Sequence, residues 1–451
     1  VIGTSPSLAD RVDAWLPQVL ADLVSLVGIP SISSSPDHAT DVRRSAEASA
    51  ALLESAGLAA DIVTAGGLPS VIAHRPGPAG APRVLLYAHH DVQPIGDPAQ
   101  WDNPPFEATY RGDRLVGRGA ADDKAGLAVH LAAVLAHGND LPVSVTVLVD
   151  GEEEIGSPTL ADLLAIHRDR LAADVIVIAD AVNWAVGTPA LTVSLRGLIE
   201  LVVEVRTLDH PLHSGAWGGA VPDALMALIP TLASLHGPDG SVAVAGLTDG
   251  PNHPTVDYDP DRFRTDAGLL NGVSPTGTGT LADSLWNRPA ITITGIDAPP
   301  VDGAANTLAA VARAKISVRL APGDDPDRAQ AALTDHLQSN VPYGAHLSAS
   351  RGASAHPAFV DAPSTIRAAA LEALRLAWNG REPVEIGCGG TLPLVHHFHE
   401  AFPEAAILVT GVEDPDTRAH GPNESLHLTD FRNACVAEAL LLRLLADQPD
   451  T

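Results

Sequence analysis

Apolar residues recur with two different periods along this chain, and each change of period marks an element. Leu8, Val12, Trp15, Val19, Leu23 and Leu26 fall three or four apart, so residues 1–26 read as an amphipathic helix, bent at Pro17. The acids and arginine within that spacing argue against a signal peptide. Residues 83–88 form a short apolar run and predict a buried strand; residues 125–136, rich in Ala, Leu and Val, predict a helix. Strand 143–149, helix 157–170 and strand 175–178 follow. Such alternation predicts a parallel or mixed sheet covered by helices on both faces.

The pattern changes near residue 190. Residues 191–207 are β-rich, 220–235 are helical, and 236–290 are rich in Gly, Pro, Asp and Thr, which predicts long loops. Strands at 291–294 and 314–320 and a helix at 325–338 complete a small α+β insert. From about Pro363 the earlier alternation resumes and ends in a helix over 428–446. Residues 1–189 and 357–451 therefore read as one discontinuous α/β domain, with 190–356 inserted into it.

Composition narrows the function. At 451 residues the chain exceeds one ordinary core, in keeping with two domains. A formal net charge of -28 argues against nucleic acid or an anionic membrane surface as a partner. No run of about 18 apolar residues is free of charge, Pro and Gly, so no membrane-spanning helix is expected. Cys388 and Cys435 are too few for a disulfide framework and point to a reducing, cytoplasmic compartment.

The candidate chemistry sits where apolar runs end. His89-His90-Asp91, Glu152-Glu153-Glu154 and Asp180 each follow a predicted strand, while Asp122-Asp123-Lys124 opens a predicted helix after a Gly-rich stretch. A further cluster, Ala419-His420-Gly421-Pro422-Asn423-Glu424, lies after a strand at 406–410. Ligand sites in α/β sheets gather beyond the carboxyl ends of strands, so these clusters can share one site. Imidazole and carboxylate together are the donor set of divalent metals. Alternation puts His89 and Asp91 on the same side, which lets Asp91 orient the His89 ring. Each cluster also has a plainer reading: Asp122 and Asp180 as helix or strand caps, Glu152–Glu154 as a solvated acidic turn, His420 as a loop histidine. Lys124 is one of two lysines, the other being Lys315, which suggests a point-charge role.

Taken in order, these segments resemble the two-metal hydrolases of the aminoacylase, carnosinase, glutamate carboxypeptidase and desuccinylase family, closest to its cytosolic dipeptidase branch. The segments are 87–94, 117–124, 152–157, 212–215 and 419–424. The resemblance implies an aminopeptidase-like (phosphorylase/hydrolase-like) catalytic domain with a mixed sheet between helices, and an inserted α+β lid or dimerisation domain. It implies two divalent ions, zinc foremost with manganese or cobalt as alternatives. His89 and Asp180 would hold one ion, Glu154 and His420 the other, and Asp122 would bridge them. A cis peptide between Asp122 and Asp123 is also implied. Glu153 would be the general base, taking a proton from a metal-bridging hydroxide's parent water and returning it to the leaving amine. Asp91 would orient His89. In the insert, His213 would reach the partner site of a homodimer and hold the oxyanion. Arg319 would clamp the substrate carboxylate, aided by Asn306, Gly390 and Thr391.

Several positions depart from the family pattern, among them Ala88 for Gly, His90 for Tyr, Ala125 for Gly and Ala309 for Pro. The approach to His213 is long enough that His210 competes with it in register. The function expected is that of a dipeptidase or small-peptide exopeptidase. The alternative is an N-acyl-amino-acid amidohydrolase with the same chemistry, and a remoter one is a non-catalytic binding domain on the same fold.

Overall fold

The computed structural model describes residues 6–447 apart from 252, 253, 255 and 361, so the first five residues of the expected N-terminal helix lie outside it. Two compact units emerge. One comprises Val1–Val193, Val360–Ile386 and Leu392–Thr451; the other comprises Ser194–Phe359 and Gly387–Thr391. The short Gly387–Thr391 segment thus groups with the insert and not with the chain on either side of it.

In the first unit, the N-terminal helix Leu8–Val27 starts at Ser7, whose hydroxyl accepts from the Asp10 amide while Asp10 accepts from the Ser7 amide. It continues through Pro17. Its buried stripe is Val12, Val19, Leu23 and Leu26, with Leu16 packed beside them. Trp15, expected on that stripe, is 41% exposed, because the helical phase brings Leu16 inward in its place.

The sheet of this unit is mixed. Strands Ala59–Val63, Ser70–Arg75 and Ser144–Asp150 pair antiparallel in that order. Arg83–His89 then runs parallel to Ser144–Asp150 on one side and to Val175–Ile178 on the other. Ala406–Val409 continues the parallel run beside Val175–Ile178, and Ala190–Leu195 returns antiparallel to it. The four parallel strands are buried almost throughout, which explains their unbroken apolar runs. All four end at the same edge of the sheet. His89 lies opposite Asp150, and Tyr87 opposite Ile178, so His89, Glu152–Glu154, Asp180 and the turn leading to His420 leave from one rim.

The second unit is a four-stranded antiparallel sheet in the order Ala290–Asp297, Val311–Leu320, Gly197–Arg206, His346–Ala355. Ile199, Leu201, Val203 and Val205 alternate inward with Ala312, Ala314, Ile316 and Val318, and pack with Leu228, Leu232, Leu333 and Leu337 from helices Ala224–Ala233 and Pro326–Asn340. The strand His346–Ala355 was not expected: its sequence is polar and nearly all of it is exposed, so no apolar period marks it. Residues 236–290, expected as loops, contain two short helices, Pro260–Asp266 and Leu281–Trp286. The expected helix over 157–170 is divided into Leu160–Ile166 and Arg168–Leu171.

Candidate metal centre

Each of the parallel strands delivers a side chain to one place. His89 ends its strand fully buried. Its Nε2 lies 3.1 Å from Asp122 Oδ1, and 4.0 Å from both Glu153 Oε2 and Asp180 Oδ2. His420 reaches the same carboxylate from the other side: its Nε2 lies 3.1 Å from Asp122 Oδ2 and 3.3 Å from Glu154 Oε2. Ligand atoms of His89, Asp122 and Glu154 fall within 4.8 Å of one another, as do those of His89, Glu153 and Asp180. The structure therefore gathers the other four expected ligands and Glu153 around Asp122.

The supporting contacts are specific. The Asp122–Asp123 peptide is cis, as the resemblance implies. Asp123 caps helix Lys124–His137 through the Gly126 amide and also accepts from the His89 amide, at 3.2 Å each. Asp91 was expected to orient His89. His89 Nδ1 lies 3.0 Å from the Asp91 backbone carbonyl and 3.4 Å from its carboxylate. The Asp91 carboxylate itself accepts from the Glu153 and Glu154 amides at 3.2 and 3.1 Å. It holds the segment that carries both acids.

The three adjacent glutamates have separate surroundings. Glu152 is buried and accepts from the Leu68 amide (2.7 Å) and the Thr159 hydroxyl (2.5 Å), so it anchors the turn. Glu154 is held by Gln93, whose amide and side chain donate to its two oxygens at 3.1 and 2.8 Å. Gln93 had no role in the sequence reading, and only its place four residues after His89 could have suggested one. Lys124 is buried and donates to the Leu26 and Ile29 carbonyls at 2.8 and 2.7 Å, so it secures the end of the N-terminal helix and touches none of the expected ligands. Burial pulls its pKa down to about 7.

The electrostatics of the cluster favour cations. Burial, then the Asp122 and Glu154 charges, push Asp180 up to about 7. Glu153 is raised well above the ordinary carboxylate range, first by burial and next by Asp180. Hydrogen bonds that His420 donates to Asp122 and then to Glu154 lift its pKa to about 11, so positive charge is strongly preferred at that point. Asp180 Oδ2 is buried without a hydrogen-bond partner. An orphaned carboxylate oxygen within a crowd of acids and two imidazoles fits a divalent ion, and the mixed nitrogen and oxygen donors suit zinc, manganese or cobalt.

The remaining expected residues lie in the second unit. His213 is exposed, and its Nδ1 accepts from the Gly215 amide at 3.1 Å, capping a short turn. The Asn306 carbonyl accepts from the Ser214 amide at 3.0 Å, which puts Asn306 beside His213. His210 is exposed and paired with Asp209. Arg319 stands opposite Leu198 on the sheet. Arg196 is buried nearby, lowered to about 10 by burial and then by the Arg319 charge, and its Nε donates to the Gly389 carbonyl at 3.3 Å. Gly390 and Thr391 follow Gly389 directly and belong to the same unit as Arg196 and Arg319.

Comparison with known proteins bears on this geometry. Residues 85–444 match Peptidase family M20/M25/M40. The chain is 33% identical over 433 residues to the cysteinylglycine-S-conjugate dipeptidase of Corynebacterium striatum, spanning 94% of this chain and 95% of that one. It is 28% identical over 368 residues to the human Beta-Ala-His dipeptidase, spanning 77% of this chain and 72% of that one. The crystal structure of human carnosine dipeptidase 1 superposes with a TM-score of 0.81 at 25% identity, covering 99% of this chain and all of that chain.

Proposed function

This chain belongs to Peptidase family M20/M25/M40, and from that premise we propose that it is a metal-dependent dipeptidase working with two divalent ions. The observation that carries the reading is the placement of Asp122, with one oxygen 3.1 Å from His89 Nε2 and the other 3.1 Å from His420 Nε2. A carboxylate offering one oxygen to each of two imidazoles has the disposition a bridging ligand needs. His89 and Asp180 would hold one ion, Glu154 and His420 the other, and Asp122 both. Zinc, manganese or cobalt would serve.

When bound, the ions supply Lewis acidity toward the amide carbonyl and lower the pKa of water. Glu153 would take a proton from the attacking water and deliver it to the leaving amine; burial and then Asp180 raise its pKa well above the ordinary carboxylate range, which strengthens its hold on that proton between the two steps. Asp91 and Gln93 are positioning residues for Glu153 and Glu154. Short peptides are the substrate class, supported by the dipeptidases of Corynebacterium striatum and human to which the chain is similar. Arg319 binds the substrate carboxylate, with Gly390, Thr391 and Asn306 assisting, and His213 holds the oxyanion across a homodimer. The two free cysteines support a cytoplasmic setting. The domain that carries His213 and Arg319 is the lid and dimerisation element of this reading.

Replacing the shared carboxylate tests the core of it. Asp122→Ala should lose both ions by elemental analysis and lose dipeptide hydrolysis, while far-UV circular dichroism stays unchanged. Retention of two tightly bound ions would overturn the bridging assignment.

A further inference from the structure

Glu424 has no part in the mechanism above, yet its carboxylate is fully buried and accepts four hydrogen bonds. Oε1 accepts from the Ala121 and Asp122 amides at 3.0 and 3.1 Å. Oε2 accepts from the Gly119 amide at 3.1 Å and from Arg118 Nη1 at 2.6 Å. Arg118 is also buried, and its Nη2 reaches the Gly421 carbonyl at 3.2 Å and the Pro94 carbonyl at 3.3 Å. The Glu424 carbonyl accepts from the Gly117 amide at 2.9 Å.

The arrangement is reciprocal. Arg118 lies four residues before Asp122 and grips the loop that carries His420. Glu424 lies four residues after His420 and grips the amide of Asp122 itself. Each loop therefore holds the other immediately beside its functional side chain. Such a pair is a costly way to gain stability alone, because burying two charges forfeits hydration that their attraction only partly returns. A rigid, directional clamp is what that cost obtains here.

We propose that Arg118 and Glu424 are positioning residues that set the separation of Asp122 from His420, and so tune the affinity of the ion that these two side chains share with Glu154. The inference rests on the two-ion reading of the site. Neither residue would touch substrate. Groups that act on a metal through its ligands commonly change affinity by 10- to 100-fold when removed.

The test is calorimetric titration of metal-free protein with zinc or manganese, together with the absorption spectrum of the cobalt-loaded form. Wild type should bind two ions. Glu424→Gln, which keeps the volume but places an amide where an amide donor and a guanidinium now point, should weaken the ion shared by Asp122, Glu154 and His420 by roughly 10- to 100-fold, and weaken the ion of His89 and Asp180 markedly less. The cobalt bands assigned to the weakened ion should shift. Arg118→Lys, which keeps the charge but loses the reach to Gly421 and Pro94, should do the same to a smaller degree and serves if Glu424→Gln does not fold. Two ions bound with unchanged affinities in a folded variant would overturn the proposal, as would an equal loss at both ions that merely follows a lower melting temperature. Fewer than two ions in wild type would overturn the two-ion reading itself, a separate outcome.

Discussion

Glu153 and His90 sit within a few residues of the same ligands, yet burial acts on them to opposite ends. Burial, reinforced by Asp180, holds the Glu153 carboxyl well above its ordinary pKa, which strengthens its hold on a proton. Glu153→Gln should lower kcat by about 10²- to 10⁴-fold with metal content unchanged, read by single-substrate kinetics and elemental analysis. Activity within a few-fold of wild type would remove Glu153 from the proton path. His90 faces away from the site: its Nε2 lies 2.8 Å from the Pro69 carbonyl, its Nδ1 has no partner, and burial lowers its pKa to about 4. An unfolded chain would bind a proton there near pH 6.5, so the folded state loses stability as pH falls from about 6.5 towards 4. The full effect is on the order of 3 kcal/mol. Urea midpoints of metal-free protein should therefore fall between pH 7 and 5 more steeply for wild type than for His90→Gln. Equal slopes would show that His90 is not the buried neutral group described.

At the scale of elements, the parallel strands act as a frame whose ends converge, and the turn after Ala406–Val409 shows how little slack the frame has. A Cβ on Gly411 would meet the Ala181 carbonyl oxygen at 1.5 Å, directly after Asp180. Gly411→Ala should therefore push the two segments apart, cost about 1–3 kcal/mol or more in stability and weaken the ion held by Asp180. Thermal melting and metal titration would read this; an unchanged melt with two ions bound would contradict it. The parallel strands and the helix Leu428–Ala446 were legible in sequence because burial on both faces, or along one long stripe, leaves a period that local reading detects. His346–Ala355 left none, since an exposed edge strand has no apolar face to mark it. The two short helices within 236–290 carried only cap signals, Asp259-Pro260 and Thr280 with Asp283, which the surrounding Gly and Pro masked. Local patterns also pointed to the ligand clusters, because His89, Glu152–Glu154 and Asp180 follow apolar runs and Asp122 opens a helix after a Gly-rich stretch. The holding contacts did not show, although the residues lie within the segments that carry the resemblance: Gln93 meets Glu154 across 61 positions, and Glu424 meets Ala121 across 303. Contacts of that span are fixed by the fold and leave no trace in spacing.

At the scale of the whole molecule, the division of the expected residues between the two units matters most. The metal-ligand candidates and Glu153 belong to one unit; His213, Asn306, Arg319, Gly390 and Thr391 belong to the other. If His213 serves the site of a partner copy, mixing inactive Glu153→Ala and His213→Ala subunits should restore part of the activity after subunit exchange. No recovery despite proven exchange would place His213 on its own chain's site or outside the reaction. No described helix is long and apolar enough to cross a membrane. The central claim, a two-ion site that cleaves short peptides, is tested most directly by amine release from matched free dipeptides and their N-acetylated counterparts, before and after metal removal. The account predicts turnover of the free dipeptides, little of the acetylated ones, loss of activity on chelation and recovery on restoring the ions. Preference for the acetylated substrates, or activity indifferent to metal, would contradict it.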